Sequence, residues 1–155
     1  MSAIQRLLIG HGALVMWVGF LAGFAFAFYL LGGVELWPFI SRIEVQLPGT
    51  YDAWRMAHME GVINGALLWV AALIIPLIPV GEVGAKRIAW GFIITAWTFC
   101  VASLIDPLFP ASRGLSFGGA ATNSLAYLLF VVGIVAIMSV TALIAWRCLK
   151  PINKK

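Results

Sequence analysis

The chain is predicted to be an all-α integral membrane protein, a four-helix bundle forming one transmembrane domain over residues 1–155. Three observations carry that expectation. Only 10% of the residues are charged against 63% hydrophobic, and the mean hydropathy is +1.02; a soluble domain of this size carries about 25% charged residues. Four apolar runs each approach or exceed the length of about 20 residues that crosses about 30 Å of hydrocarbon. The prolines fall at or beyond the ends of those runs, where helices commonly stop.

The first span runs roughly over 7–31. It follows a single Arg6, and its apolar core is too long for a cleavable signal with a small-residue cleavage site, so it is expected to be retained. The second span covers roughly 56–78 and closes with Pro76 and Pro79. Residues 80–86 form a short turn, which makes spans two and three an antiparallel hairpin. The third span covers roughly 88–105, followed by Pro107 and Pro110, and the fourth roughly 125–146. The connections 32–54 and 106–122 are long, rich in Gly, Pro and aromatics, and lie on one side of the bilayer; loops of that length are often functional.

Four spans put both termini on one side, together with Arg6, Lys86, Arg87, Arg147, Lys150, Lys154 and Lys155; Arg42, Arg113 and Arg55 fall on the other. The positive-inside rule then gives an N-in, C-in topology. The net charge of +4 therefore reports orientation and headgroup contact rather than nucleic-acid binding. Trp37 and Trp54 outside, and Trp90 and Trp146 inside, fit interfacial aromatic belts. Cys100 lies within a span and Cys148 just past one, so a disulfide is not expected; two lone cysteines make no zinc pattern, and Cys100 fits a small buried hydrophobe.

The chemistry concentrates in Trp54-Arg-Met-Ala-His58-Met-Glu60-Gly-Val-Ile-Asn64-Gly65, which places a histidine, a carboxylate and a carboxamide at the mouth of the second span. Polar groups at that depth find no partner in lipid and persist chiefly where they bind something or line a pathway. Imidazole is the commonest protein ligand for iron, so His58 is the candidate ligand of a metal or cofactor, with a satisfied structural histidine as the alternative. At about 100° per residue, Asn64 stands about 120° around the helix from His58, and Glu60 about 40° from Asn64. His58, Gly61 and Gly65 share the other flank, where small residues admit a helix or a flat ligand. If His58 and Asn64 serve one site, a ring of subunits is the simplest geometry, with each residue facing a different interface. His11 lies toward the opposite leaflet, so a bis-histidine haem within one subunit is disfavoured. Between Gly10 and Gly12, His11 is expected to be a hydrogen-bonded interfacial residue.

Ser103, Asp106, Asn123, Ser124 and Tyr127 fall at the same outer depth as His58, with Arg113 in the loop between. Their convergence suggests an outer-leaflet pocket. The structural alternative is that Asn123 or Ser124 caps the fourth helix and Asp106-Pro107 makes a turn. Glu60 could equally snorkel to the interface. No nucleophile elbow, phosphate loop or metal-spaced carboxylate pair is present, and six acids are too scattered for a carboxylate-bridged di-iron site.

At these residues the chain resembles the styrene oxide isomerase family of small bacterial inner-membrane proteins. The resemblance runs through Gly10-His11-Gly12, Leu31-Gly-Gly-Val-Glu35 with Pro38, Leu47-Pro-Gly49, Trp54, Ala57-His58, Asn64-Gly65, Trp97, Pro110 and Arg113-Gly-Leu-Ser-Phe-Gly118. It implies a homotrimer of four-span subunits with haem b at the interfaces and His58 as the axial iron ligand. It also implies ferric iron acting as a Lewis acid on an epoxide oxygen, a device metal sites use widely, and Asn64 positioning the substrate. The activity implied is isomerisation of a small lipophilic epoxide to an aldehyde or ketone. The chain departs from the family pattern where a tyrosine near the end of span three and an aspartate about two turns earlier are expected. In ungapped register those positions are Ser103 and Thr95, and Tyr127 or Glu60 is the available compensation. Two alternatives to the isomerase stand beside it: a haem b protein for electron transfer or gas sensing, and a haem-free accessory subunit of a membrane complex.

Overall fold

The computed structural model describes residues 1–150; Lys154 and Lys155, counted in the charge bias above, lie outside the described residues. Helix α1 spans Ala3–Leu31, α2 Tyr51–Ile74, α3 Glu82–Leu108 and α4 Ala121–Leu149. Each is long and apolar enough to cross a membrane. A short antiparallel hairpin, β1 (Gly33–Leu36) with β2 (Ile40–Glu44), interrupts the first long connection.

The helices begin and end where local chemistry dictates. Ser2 and Gln5 form a reciprocal capping box on α1, with Gln5 N donating to Ser2 Oγ at 3.2 Å and Ser2 N donating to Gln5 Oε1 at 2.8 Å. At its other end Gly32 takes the left-handed conformation, φ 62°, that closes a helix without a Cβ penalty. Thr50 caps α2 by accepting from Ala53 N at 3.2 Å. Pro76 cannot donate to the helix ladder, and the last turn tightens to a 3₁₀ turn at Ile75–Leu77.

The helices extend past their apolar runs where polar ends remain helical, whereas α2 stops at Ile74, short of the expected 78, and two further expectations at the helix ends are corrected. Asp106-Pro107 does not turn the chain: α3 continues to Leu108 with Pro107 inside it. Neither Asn123 nor Ser124 caps α4, whose N-cap is Ala120 without a side-chain bond. Asn123 instead accepts from Gly114 N at 2.8 Å and donates to Ser116 O at 2.9 Å and Gly118 O at 2.8 Å, while Ser124 Oγ accepts from Gly118 N at 3.3 Å. Both residues pin the 114–118 loop onto the helix end.

The helices pack as an open row. α1 lies chiefly on α2, α2 on α3 and α3 on α4, with α1 also touching α3; α1 and α4 do not meet. The row therefore does not close into a ring-shaped bundle. Its core holds Leu8, Val15, Leu68, Ile88, Ile93 and Cys100, all buried. The edge helices expose large apolar side chains, among them Trp17, Leu21 and Phe24 on α1 and Val135 and Met138 on α4. Such faces require lipid or another apolar surface against them.

The tightest seam is between α1 and α2. Gly19 meets Gly61, and Gly12 meets Gly65 and Trp69, so closely that a Cβ at any of these glycines would collide with the facing helix. Backbones approach this way in membranes because small residues leave room for van der Waals contact. Trp37, Trp90 and Trp146 are exposed, as interfacial anchors would be. Trp54 is not: it is 4% exposed, and its Nε1 donates to Pro48 O at 2.8 Å, so it ties the incoming loop to α2.

Candidate functional site

His58 sits two turns into α2 on the flank that faces α1, partly buried. Its Nδ1 lies 2.9 Å from the carbonyl oxygen of Gly19. A carbonyl only accepts, so Nδ1 carries the proton and donates. The lone pair is thereby left on Nε2, the form in which an imidazole binds a metal, and a hydrogen bond from the other ring nitrogen is what orients such ligands. Gly23 makes room for the ring: a Cβ there would lie 2.7 Å from His58 Nδ1.

His58 lines one side of an apolar groove of about 640 Å³ along the outer face of α1, walled by Trp17, Phe20, Phe24, Ala27 and Leu30. No group of three His, Cys, Asp or Glu that could hold a bare metal ion occurs among the described residues. A single imidazole at an apolar, aromatic-lined groove therefore suits a metal that brings its other ligands with it, as in a flat macrocycle, and the residues present fit that class of group. Sequence reasoning missed Gly19 and Gly23; their spacing of four on one face of α1 was the available signal.

Asn64 occupies the other flank, as the helical angle requires, and is 5% exposed. Its Nδ2 donates to the Glu60 carbonyl oxygen at 2.9 Å and to Glu60 Oε2 at 2.7 Å. The Glu60 carboxyl thus turns back to Asn64 instead of snorkelling outward. One subunit does not bring His58 and Asn64 into a common pocket.

The other outer-leaflet polar residues separate into local arrangements. Ser103 is fully buried and donates to Cys100 O at 3.1 Å. Thr95 donates to Gly91 O at 2.9 Å and to Gly133 O on α4 at 3.2 Å. Both hydroxyls are spent on backbone. Asp106 faces Arg113 at 3.7 Å beside a second cavity of about 370 Å³ between the 48–50 and 110–113 loops. Tyr127 packs edge-on against Phe117 with ring centres 6.0 Å apart. His11 accepts at Nδ1 from Trp97 Nε1 at 3.0 Å, and its lone pair is consumed in that bond. It is a structural histidine joining α1 to α3.

In the hairpin, Arg42 Nε donates to Glu44 Oε1 at 2.7 Å, and Arg42 also reaches Leu31 O at 3.1 Å. The hydrogen bond and charge of Arg42 hold the Glu44 carboxyl below its ordinary range.

A family model described as styrene oxide isomerase matches residues 4–149. The styrene-oxide isomerase of Pseudomonas fluorescens is 27% identical to the chain over 118 residues, covering 76% of this chain and 69% of that protein.

Proposed function

The chain belongs to the styrene oxide isomerase family, and on that premise we propose that it is a haem b protein that isomerises a small lipophilic epoxide to an aldehyde or ketone. The observation that carries this reading is His58: Nδ1 is tied to Gly19, and Nε2 has no hydrogen-bond partner among the described residues beside an apolar groove. His58 is the residue that would hold the iron, and Trp17, Phe20 and Phe24 are the side chains that would lie against the macrocycle. When bound, ferric haem supplies a Lewis acid that polarises an epoxide oxygen.

The remaining contributions belong to the protein. The aromatic wall of the groove excludes water, which would otherwise trap an opened epoxide as a diol. Substrates of this class partition into hydrocarbon, so a groove open along a membrane helix can receive them from the bilayer. Because His58 and Asn64 point into different spaces, a site using both is completed by a second copy, and a homotrimer in the bacterial inner membrane with cytoplasmic termini meets that need.

The test is spectroscopic and chemical. Detergent-purified protein is expected to show a Soret band at stoichiometric haem, and His58→Ala to lose it. Incubation with a lipophilic aryl epoxide is expected to yield a carbonyl product without added reductant or oxidant. Wild-type protein without a Soret band contradicts the proposal, and haem content unchanged in His58→Ala contradicts the ligand. A second reading rests on Ser103 and Thr95, whose hydroxyls are turned to backbone and offer nothing to a substrate: a haem protein for electron transfer or gas binding. Ready reduction by dithionite with carbon monoxide binding, and no epoxide turnover, would favour it.

A further inference from the structure

Glu60 is the one acid set inside an apolar span. The other five, Glu35, Glu44, Asp52, Glu82 and Asp106, lie in the hairpin or in terminal turns of helices. A carboxyl at that depth is costly unless something holds it. Among the described residues Glu60 has no cation within ion-pair distance; its side-chain partner is Asn64. A carboxamide has two N–H donor positions. Asn64 directs its nitrogen at the Glu60 carbonyl at 2.9 Å and at Glu60 Oε2 at 2.7 Å, which commits both. Its Oδ1 accepts no hydrogen bond among the described residues, although the residue is only 5% exposed. The amide is thus held with its donors on Glu60 and its acceptor unbonded among the described residues.

We propose that Glu60 is a positioning residue that fixes the Asn64 amide so that the group offered to substrate is the carbonyl oxygen. The proposal rests on the isomerase reading and extends it to this chain's own residues. In the rearrangement, one epoxide C–O bond breaks with its electron pair going to oxygen, and the carbon left behind becomes electron-poor. A hydride or substituent then migrates with its bonding pair, and an oxygen lone pair closes the C=O bond, so atoms and electrons balance within one molecule. A fixed carbonyl dipole with its negative end toward the electron-poor carbon stabilises that charge without reorganising. A freely rotating amide would present donor and acceptor by turns and lose that preorganisation.

The experiment compares Glu60→Gln, which keeps an acceptor oxygen, with Glu60→Leu, which does not; Glu60→Met serves as the second apolar variant if Glu60→Leu fails to assemble. The chain has three asparagines, 64, 123 and 153, so ¹⁵N-asparagine labelling gives three side-chain amide pairs, with that of Asn64 assigned by its loss in Asn64→Asp. The Asn64 protons are expected to exchange slowly in wild type and Glu60→Gln, and at least about tenfold faster in the apolar variants. The apolar variants are expected to lose about tenfold or more in kcat with an unchanged Soret band, and Glu60→Gln to stay within about threefold. Adding Glu60→Leu to Asn64→Ala is expected to cost nothing further, because the two act as one unit. An Asn64 amide unchanged by Glu60→Leu, losses that add, or a Glu60→Gln as impaired as Glu60→Leu would each overturn the proposal. Absence of carbonyl product from wild type overturns the isomerase reading instead, and the amide exchange still decides whether Glu60 sets Asn64.

Discussion

At the scale of single residues, α1 sets the orientation of the His58 imidazole. Gly19 supplies the acceptor, and Gly23 supplies the space. A side chain at Gly23 would lie against Nδ1, so Gly23→Val is expected to turn the ring out of its bond and lower haem per protein by about tenfold or more, in keeping with losses seen when the support of a metal-bound histidine is removed. The absorption spectrum and haem-to-protein ratio measure it; a Gly23→Val protein with full haem would show that the Gly19 bond does not orient the ligand. His11 provides the contrast. Replacing it with Phe removes one hydrogen bond from Trp97 and is expected to cost about 1–2 kcal/mol of stability while leaving haem content unchanged, as read by thermal melting and absorbance. The separation of His58 from Asn64 was legible in the sequence because 100° per residue leaves no freedom. The Gly19 carbonyl was not, since it depends on how far α1 slides along α2, which only the packed glycines of both helices determine.

At the scale of elements, the apolar runs announce four helices because no other structure of that hydropathy satisfies its backbone in lipid. Their ends are less legible. The polar first turns of α2 and α3 look like loop in a hydropathy reading yet are held by Thr50 and by the Lys86–Glu82 pair at 2.6 Å. The hairpin was missed because its strands hold only four and five residues and lack a buried face. Its anchor is Arg42, which bonds both Glu44 and the end of α1. The depressed Glu44 carboxyl fixes the sign of its pH dependence: the contribution is present above the ordinary carboxylate range and is lost as pH falls through the lower, folded value. Protection of the hairpin amides, taken relative to the intrinsic exchange rate at each pH, is therefore expected to fall in acid, and Arg42→Gln to remove that dependence in hydrogen-exchange measurements. Protection that falls equally in acid in Arg42→Gln would place the titrating contact elsewhere.

At the scale of the whole molecule, an open row of helices leaves the outer face of α1, with its groove and His58, uncovered by the other described residues. Composition predicted a bundle but could not show that α1 and α4 never meet, because apolar residues face lipid and protein alike. Under the proposed function the uncovered face is an interface holding haem, so Trp17→Glu is expected to reduce both the oligomer and its haem, as native mass spectrometry would record. The most direct measurement is a density map of the purified oligomer at the α1 groove. The expected result is a tetrapyrrole there, between subunits, with its iron bonded to Nε2 of His58 while Nδ1 still faces the Gly19 carbonyl. Iron on Nδ1 or on His11, or an imidazole at position 58 surrounded only by protein and lipid, would contradict it.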